Sequence, residues 1–89
     1  MSDNPSSSMT FPCEFPLKAF GRNTDEFEAL IITIVRRHVP HLDDRQVTSR
    51  LSGGGAYRAV TATFTAHSRA QLDALYQELT DHEQVLMVL

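Results

Sequence analysis

The sequence predicts a single α+β domain, and three observations carry the prediction. Two stretches place apolar residues at helical spacing; three alternate apolar with polar residues and a short apolar run follows at 85–88; together they interleave as strand, helix, strand, strand, helix, strand. Hydrophobic residues make up 42% of the 89 positions. That is a globular composition, in a chain short enough that folding buries only about 60% of the unfolded surface.

Residues 1–10, MSDNPSSSMT, are polar and serine-rich with nothing to bury, so they are expected to form a disordered tail ahead of one domain over 11–89. In 15–21, Phe15, Leu17 and Ala19 alternate with Pro16, Lys18 and Phe20, a strand ended by Gly21. Pro16 has no amide donor and is therefore expected near the strand's start or at a bulge. Phe27, Leu30, Ile31, Ile34 and Val35 then follow the spacing of one helical face. Asn23 or Thr24 can cap that helix, with Glu26 as the reciprocal partner of Asn23; Arg36, Arg37 and His38 suit its C-terminal dipole, and Pro40 forbids continuation.

Val47, Ser49 and Leu51 against Thr48 and Arg50 predict a second strand, and Val60, Ala62 and Phe64 against Ala59, Thr61, Thr63 and Thr65 a third. Gly53, Gly54 and Gly55 lie between them. A phosphate-cradling glycine loop must open a helix, whereas these glycines lead into a threonine-rich strand, so they are read as a hairpin loop at positive φ. Ser68 can cap a second helix with Gln71 as its box partner and Leu72, Leu75, Tyr76 and Leu79 as its buried stripe; Val85–Val88 forms the last strand. This order is ferredoxin-like. Right-handed crossovers put both helices on one face of a four-stranded antiparallel sheet and leave the other face open.

Charge and composition narrow the function classes. The net charge is −3 and Lys and Arg form no run, which argues against nucleic acid. The apolar-rich stretch 27–35 is far shorter than the roughly 20 residues of a membrane helix. A lone Cys13 and the lack of a charged-then-apolar opening segment lead to the expectation of a cytoplasmic protein.

Phe11-Pro12, Phe15, Lys18 and Gly21, then Arg37-His38-x-Pro40, Ser52-x-x-Gly55-x-Tyr57, Leu75-Tyr76-x-Glu78-Leu79 and Met87-Val88-Leu89 resemble the YbeD-like family of small bacterial proteins, from about residue 11 onward. The resemblance implies a ferredoxin-like fold close to ACT regulatory domains, which bind amino acids or similar effectors and pair through sheet edges or helix faces. It implies no activity of its own; the expectation here is a non-enzymatic regulatory or adaptor module, homo-oligomeric, that binds a small metabolite or a protein partner through the corner after the first strand and the open sheet face. The family's proximity to lipoate-attachment genes implies a link to lipoate metabolism. The serine-rich tail and the tripled glycine depart from the family pattern.

The turn FGRNTDEF supplies the candidate ligand site, Gly21, Arg22, Asn23, Thr24 and Asp25. Gly21 permits close approach, Arg22 offers a fork of donors, and the amides of Thr24 and Asp25 are expected to begin the helix. Asp25, Glu26 and Glu28 repel a free anion, so an amphoteric ligand fits better; the Asp-x-Pro-Gly turn of ACT domains is absent.

On the open face the alternation places Lys18, Phe20, Thr48, Arg50, Tyr57, Thr61, Thr63 and Thr65, of which Lys18, Phe20, Arg50, Tyr57, Thr61 and Thr63 form the candidate partner surface. An RNA-recognition reading lacks the basic-glycine-aromatic core around Tyr57. His38, His41, Asp43 and Asp44 have side chains suited to zinc or nickel, but Cys13 and His82 are too remote to complete four ligands. A small enzyme or metal-binding factor built on Cys13 or this cluster is the alternative function. No base, oxyanion donor or carboxylate pair supports it, so no catalytic residue, metal or cofactor is expected.

Overall fold

The computed structural model describes residues 10–89. The expected tail over residues 1–10 lies, apart from Thr10, outside the described residues. The elements are β1 (Cys13–Arg22), α1 (Phe27–His38), β2 (Val47–Ser52), β3 (Tyr57–Ala66), α2 (Arg69–Asp81) and β4 (Val85–Val88), with short 3-10 turns at Asp44–Gln46 and Gly53–Gly55. All strand pairs are antiparallel, in the order β2-β3-β1-β4. This is the ferredoxin-like arrangement that the element order predicts.

Burial alternates along the strands. Leu17 and Ala19 on β1 and Val60, Ala62, Phe64 and Ala66 on β3 are buried beneath Phe27, Ile31, Ile34 and Val35 of α1 and Leu72, Leu75 and Leu79 of α2. Both predicted helical stripes therefore lie in the core, with Leu30 and Tyr76 packed at its border. Burial holds the Tyr76 hydroxyl above its ordinary pKa.

β1 is longer than the predicted 15–21, because Cys13 and Glu14 continue the ladder against Ala66 and Thr65. Pro16 sits inside this strand opposite Thr63, at neither its start nor a bulge. Its missing amide is harmless for a directional reason. The Lys18 N–H points toward β4, donating to Leu89 O at 3.0 Å. The nitrogen of Pro16, two residues earlier, faces the same way, beyond the paired stretch of β4.

The N-terminus of α1 also departs from expectation. The helix begins at Phe27 after Glu26, without a side-chain cap. Asn23 is held elsewhere: Nδ2 donates to Gly55 O at 3.0 Å and Oδ1 accepts from Arg58 Nε at 3.1 Å. At α2 the cap forms as predicted, Ser68 Oγ accepting from Gln71 N at 3.0 Å. Gln71 itself accepts from the His67 N–H, one residue before the box position, and donates through Nε2 to His38 O, joining the start of α2 to the end of α1. Ser68→Ala is accordingly expected to cost about 1 kcal/mol, measured by urea denaturation. The glycine turn between β2 and β3 has φ of 61°, 67° and 94° at Gly53, Gly54 and Gly55, as the hairpin reading requires.

Candidate functional site

Two regions hold the predicted site residues. The first is the corner where β1 ends, α1 begins and the α2–β4 turn returns. A cavity of about 310 Å³ lies there, lined by Arg22, Thr24, Phe27, Glu83, Gln84 and Leu86. Arg22 and Thr24 were expected. Glu83, Gln84 and Leu86 were missed, because they reach the corner only through the pairing of β4 with β1, which shifts register between Phe20 and Gly21. Arg22 and Glu83 bring opposite charges to one cavity, and among the described residues neither has an ion-pair partner within 4.0 Å.

The other predicted corner residues serve different ends. Gly21 is not at positive φ; its importance is space, since a Cβ there would collide with the edge of the Phe27 ring and lie 2.6 Å from Gln84 O. Its bare backbone admits Phe27 rather than a ligand. Asn23 is engaged by the hairpin turn, and its N–H donates to Ala56 O at 3.0 Å. The amides of Thr24 and Asp25 do not begin the helix, because α1 starts at Phe27. Asp25 is exposed ahead of it. Glu28 faces away from the cavity wall toward the sheet, its Oε1 accepting from Ser49 Oγ at 3.2 Å and lying 4.0 Å from Arg58 Nη1.

The second region is the sheet face that carries no helix. Its cross-strand rows follow from the register. One runs Thr48, Thr61, Lys18, Leu89; the next Arg50, Ala59, Phe20, Met87; the third Ser52, Tyr57, Arg22. The alternation therefore placed Lys18, Phe20, Thr48, Arg50, Tyr57, Thr61, Thr63 and Thr65 on the correct face. Met87 and Leu89 complete it and were missed; they are 53% and 60% exposed beside Phe20 and Lys18. Tyr57 leans against Gly53 at the hairpin end. A shallow basin of about 230 Å³ opens among Lys18, Thr48, Ser49, Arg50, Ala59 and Thr61.

The residues of the alternative reading are dispersed. His38 Nε2 lies 2.8 Å from Glu78 Oε1, and Glu78 also pairs with Arg37. Asp44 pairs with Arg36 at 2.8 Å. Asp43 caps the Asp44–Gln46 turn, and the Arg45 side chain, with its backbone N–H, holds the Asp43 carboxyl below its ordinary pKa. His41 is exposed and lines a separate cavity with His67 and Gln71. Among the described residues no three His, Cys, Asp or Glu side chains converge as a metal site. Cys13 is half-buried at the start of β1, packed against the core border. No helix among the described residues is long and apolar enough to cross a membrane.

A family model described as "Protein of unknown function (DUF493)" matches residues 6–89. The chain belongs to the DUF493 family. A DUF493 chain is what the YbeD-like motifs of the sequence lead one to expect. It is 48% identical to a UPF0250 protein of Chromobacterium violaceum over 89 residues, the whole of both chains. It is 42% identical to UPF0250 protein NE1487 of Nitrosomonas europaea over 83 residues, 93% of this chain and 95% of the relative. The solution structure of Protein HP0495 from H. pylori shares the fold, with a TM-score of 0.68 over 100% of this DUF493 chain and 98% of the other, at 10% identity.

Proposed function

We propose that the protein is a non-enzymatic regulatory module that takes a small amphoteric effector at the β1–α1 corner. The reading rests on the cavity in which Arg22 and Glu83, opposite in charge and unpaired among the described residues, share walls with Phe27 and Leu86. A ligand carboxylate meets Arg22, an ammonium meets Glu83, and an apolar side chain lies against Phe27 and Leu86. The volume of about 310 Å³ is at the lower end of small-molecule pockets, roughly 300–1,000 Å³, and suits a metabolite the size of an amino acid. The likeness to ACT domains implied by the YbeD-like motifs agrees with that class. Lipoyl compounds would use Arg22 and the apolar wall but leave Glu83 unmatched, so they are expected to bind more weakly. Cys13 has no hydrogen-bonded His, Asp or Glu among the described residues, which favours a binding role over catalysis.

A thermal-shift screen against amino acids, lipoyl derivatives and nucleotides tests the reading. A ligand at a hundred times its Kd adds about 2.7 kcal/mol of stability. Arg22→Ala is expected to weaken a carboxylate ligand by about 1.5–3 kcal/mol, the range for a hydrogen bond to a charged group. Affinity unchanged in Arg22→Ala and in Glu83→Gln removes the corner as the site.

A further inference from the structure

The eight Lys and Arg side chains are unevenly partnered. Arg36, Arg37, Arg45, Arg58 and Arg69 each stand beside a carboxylate, on the helices, on the turn before β2 or on the helix-facing side of β3. Lys18, Arg22 and Arg50 have no carboxylate within 4.0 Å among the described residues, and all three occupy open-face positions. Glu14 is the one acidic side chain on the open-face positions of the four strands. In a chain of net charge −3, uncompensated positive charge is thus gathered on this face.

Apolar surface adjoins that charge. Phe20, Met87 and Leu89 form one corner of the face, the last two more than half exposed. Between this corner and β2 the sheet dips, because Ala59 offers only a methyl group where its row neighbours are Arg50 and Phe20. The resulting basin, about 230 Å³, is walled by Lys18 and Arg50 with the hydroxyls of Thr48 and Thr61 between them. Lys18 and Arg50 stand two strand spacings across and two residues along the sheet from each other, about 12 Å, close enough for two long side chains to converge on one carboxylate.

We infer that the open face docks a protein partner through a segment in which acidic and apolar side chains are neighbours. A partner carboxylate enters the basin between Lys18 and Arg50, and the adjacent apolar side chain covers Phe20, Met87 and Leu89. This surface borders the effector corner at Arg22, but its docking contacts, Lys18, Arg50, Phe20, Met87 and Leu89, lie outside the corner cavity and do not depend on it. Charge decides the occupant. A second copy docked face to face about a two-fold axis sets Lys18, Arg22 and Arg50 against themselves, with Glu14 the one acidic side chain of the face to offset them. A nucleic-acid strand gains little from three cations on a chain of net charge −3, and the two rings of the face, Phe20 and Tyr57, lack the basic-glycine-aromatic core of an RNA-recognition strand.

The test is an amide-shift titration of the isotope-labelled full chain with a short soluble peptide alternating Glu and Leu, beside its Lys-Leu counterpart and oligouridylate. The Glu-Leu peptide is expected to move the amides of Lys18, Phe20, Arg50, Thr61, Met87 and Leu89, more weakly as salt rises. The charge reversal Lys18→Glu/Arg50→Glu should weaken it at least about tenfold and create affinity for the Lys-Leu peptide. Met87→Asp should weaken it with every cation in place. All three side chains are exposed, and the amide spectrum reports that each variant is folded. The inference is overturned if the Glu-Leu peptide leaves these amides unmoved, if the Lys-Leu peptide or oligouridylate moves them as strongly, or if dilution shifts the same amides, the sign of a second copy on the face.

Discussion

Phe27→Ala is expected to lower the free energy of unfolding by about 3–5 kcal/mol, the range for truncating a buried phenylalanine. The ring is 1% exposed, the largest side chain that α1 sends into the core, and it also walls the corner cavity. A chain of 89 residues has about 5–13 kcal/mol of total stability, so the loss is a large fraction of the whole. In a domain this small each kcal/mol lowers Tm by about 4–8 °C. Urea unfolding followed by circular dichroism should show an earlier midpoint at unchanged slope. A cost below about 1 kcal/mol would mean that the ring is not packed as described.

Gly21→Ala is the second large effect and arises from the opposite cause. The added methyl meets the Phe27 ring on one side and the Gln84 backbone carbonyl on the other, and the carbonyl cannot turn aside as a flexible side chain could. Overpacking of this kind costs about 1–3 kcal/mol, occasionally more. Because the two substitutions share one contact, their costs should not add. In a Phe27→Leu background Gly21→Ala should be cheaper by at least about 0.5 kcal/mol, the coupling expected of touching residues. Strict additivity in that double-mutant cycle would place the methyl away from the ring.

These two residues also show where sequence reading stops. The helical stripes, the open-face alternation and the positive-φ glycines were legible, since each follows from a local period or a turn requirement, and β4 was legible as a short apolar run. Gly21 was legible as important but not for its reason, which depends on Phe27 and on Gln84, 63 positions away. The capping prediction at Asn23 failed because partners 32 and 35 residues distant, Gly55 and Arg58, compete for its side chain. Glu83, Leu86, Met87 and Leu89 carried no signal of their own; β4 runs beside β1, and only that pairing brings them to the corner and the face. The His38, His41, Asp43 and Asp44 group looked coherent in sequence and came apart for the same reason, with Glu78 drawing His38 toward α2 and Arg36 drawing Asp44.

The helices cover one side of the sheet and leave the other open to solvent. Attenuation of methyl signals by a soluble gadolinium chelate measures this directly in methyl-labelled protein. Met87, Leu86 and Leu89 should be strongly attenuated, while Leu17, Ile31, Val60, Leu75 and Leu79 stay protected. Protection of Met87 and Leu89 equal to that of Leu17 and Val60 would mean that the face is covered, and would contradict the account.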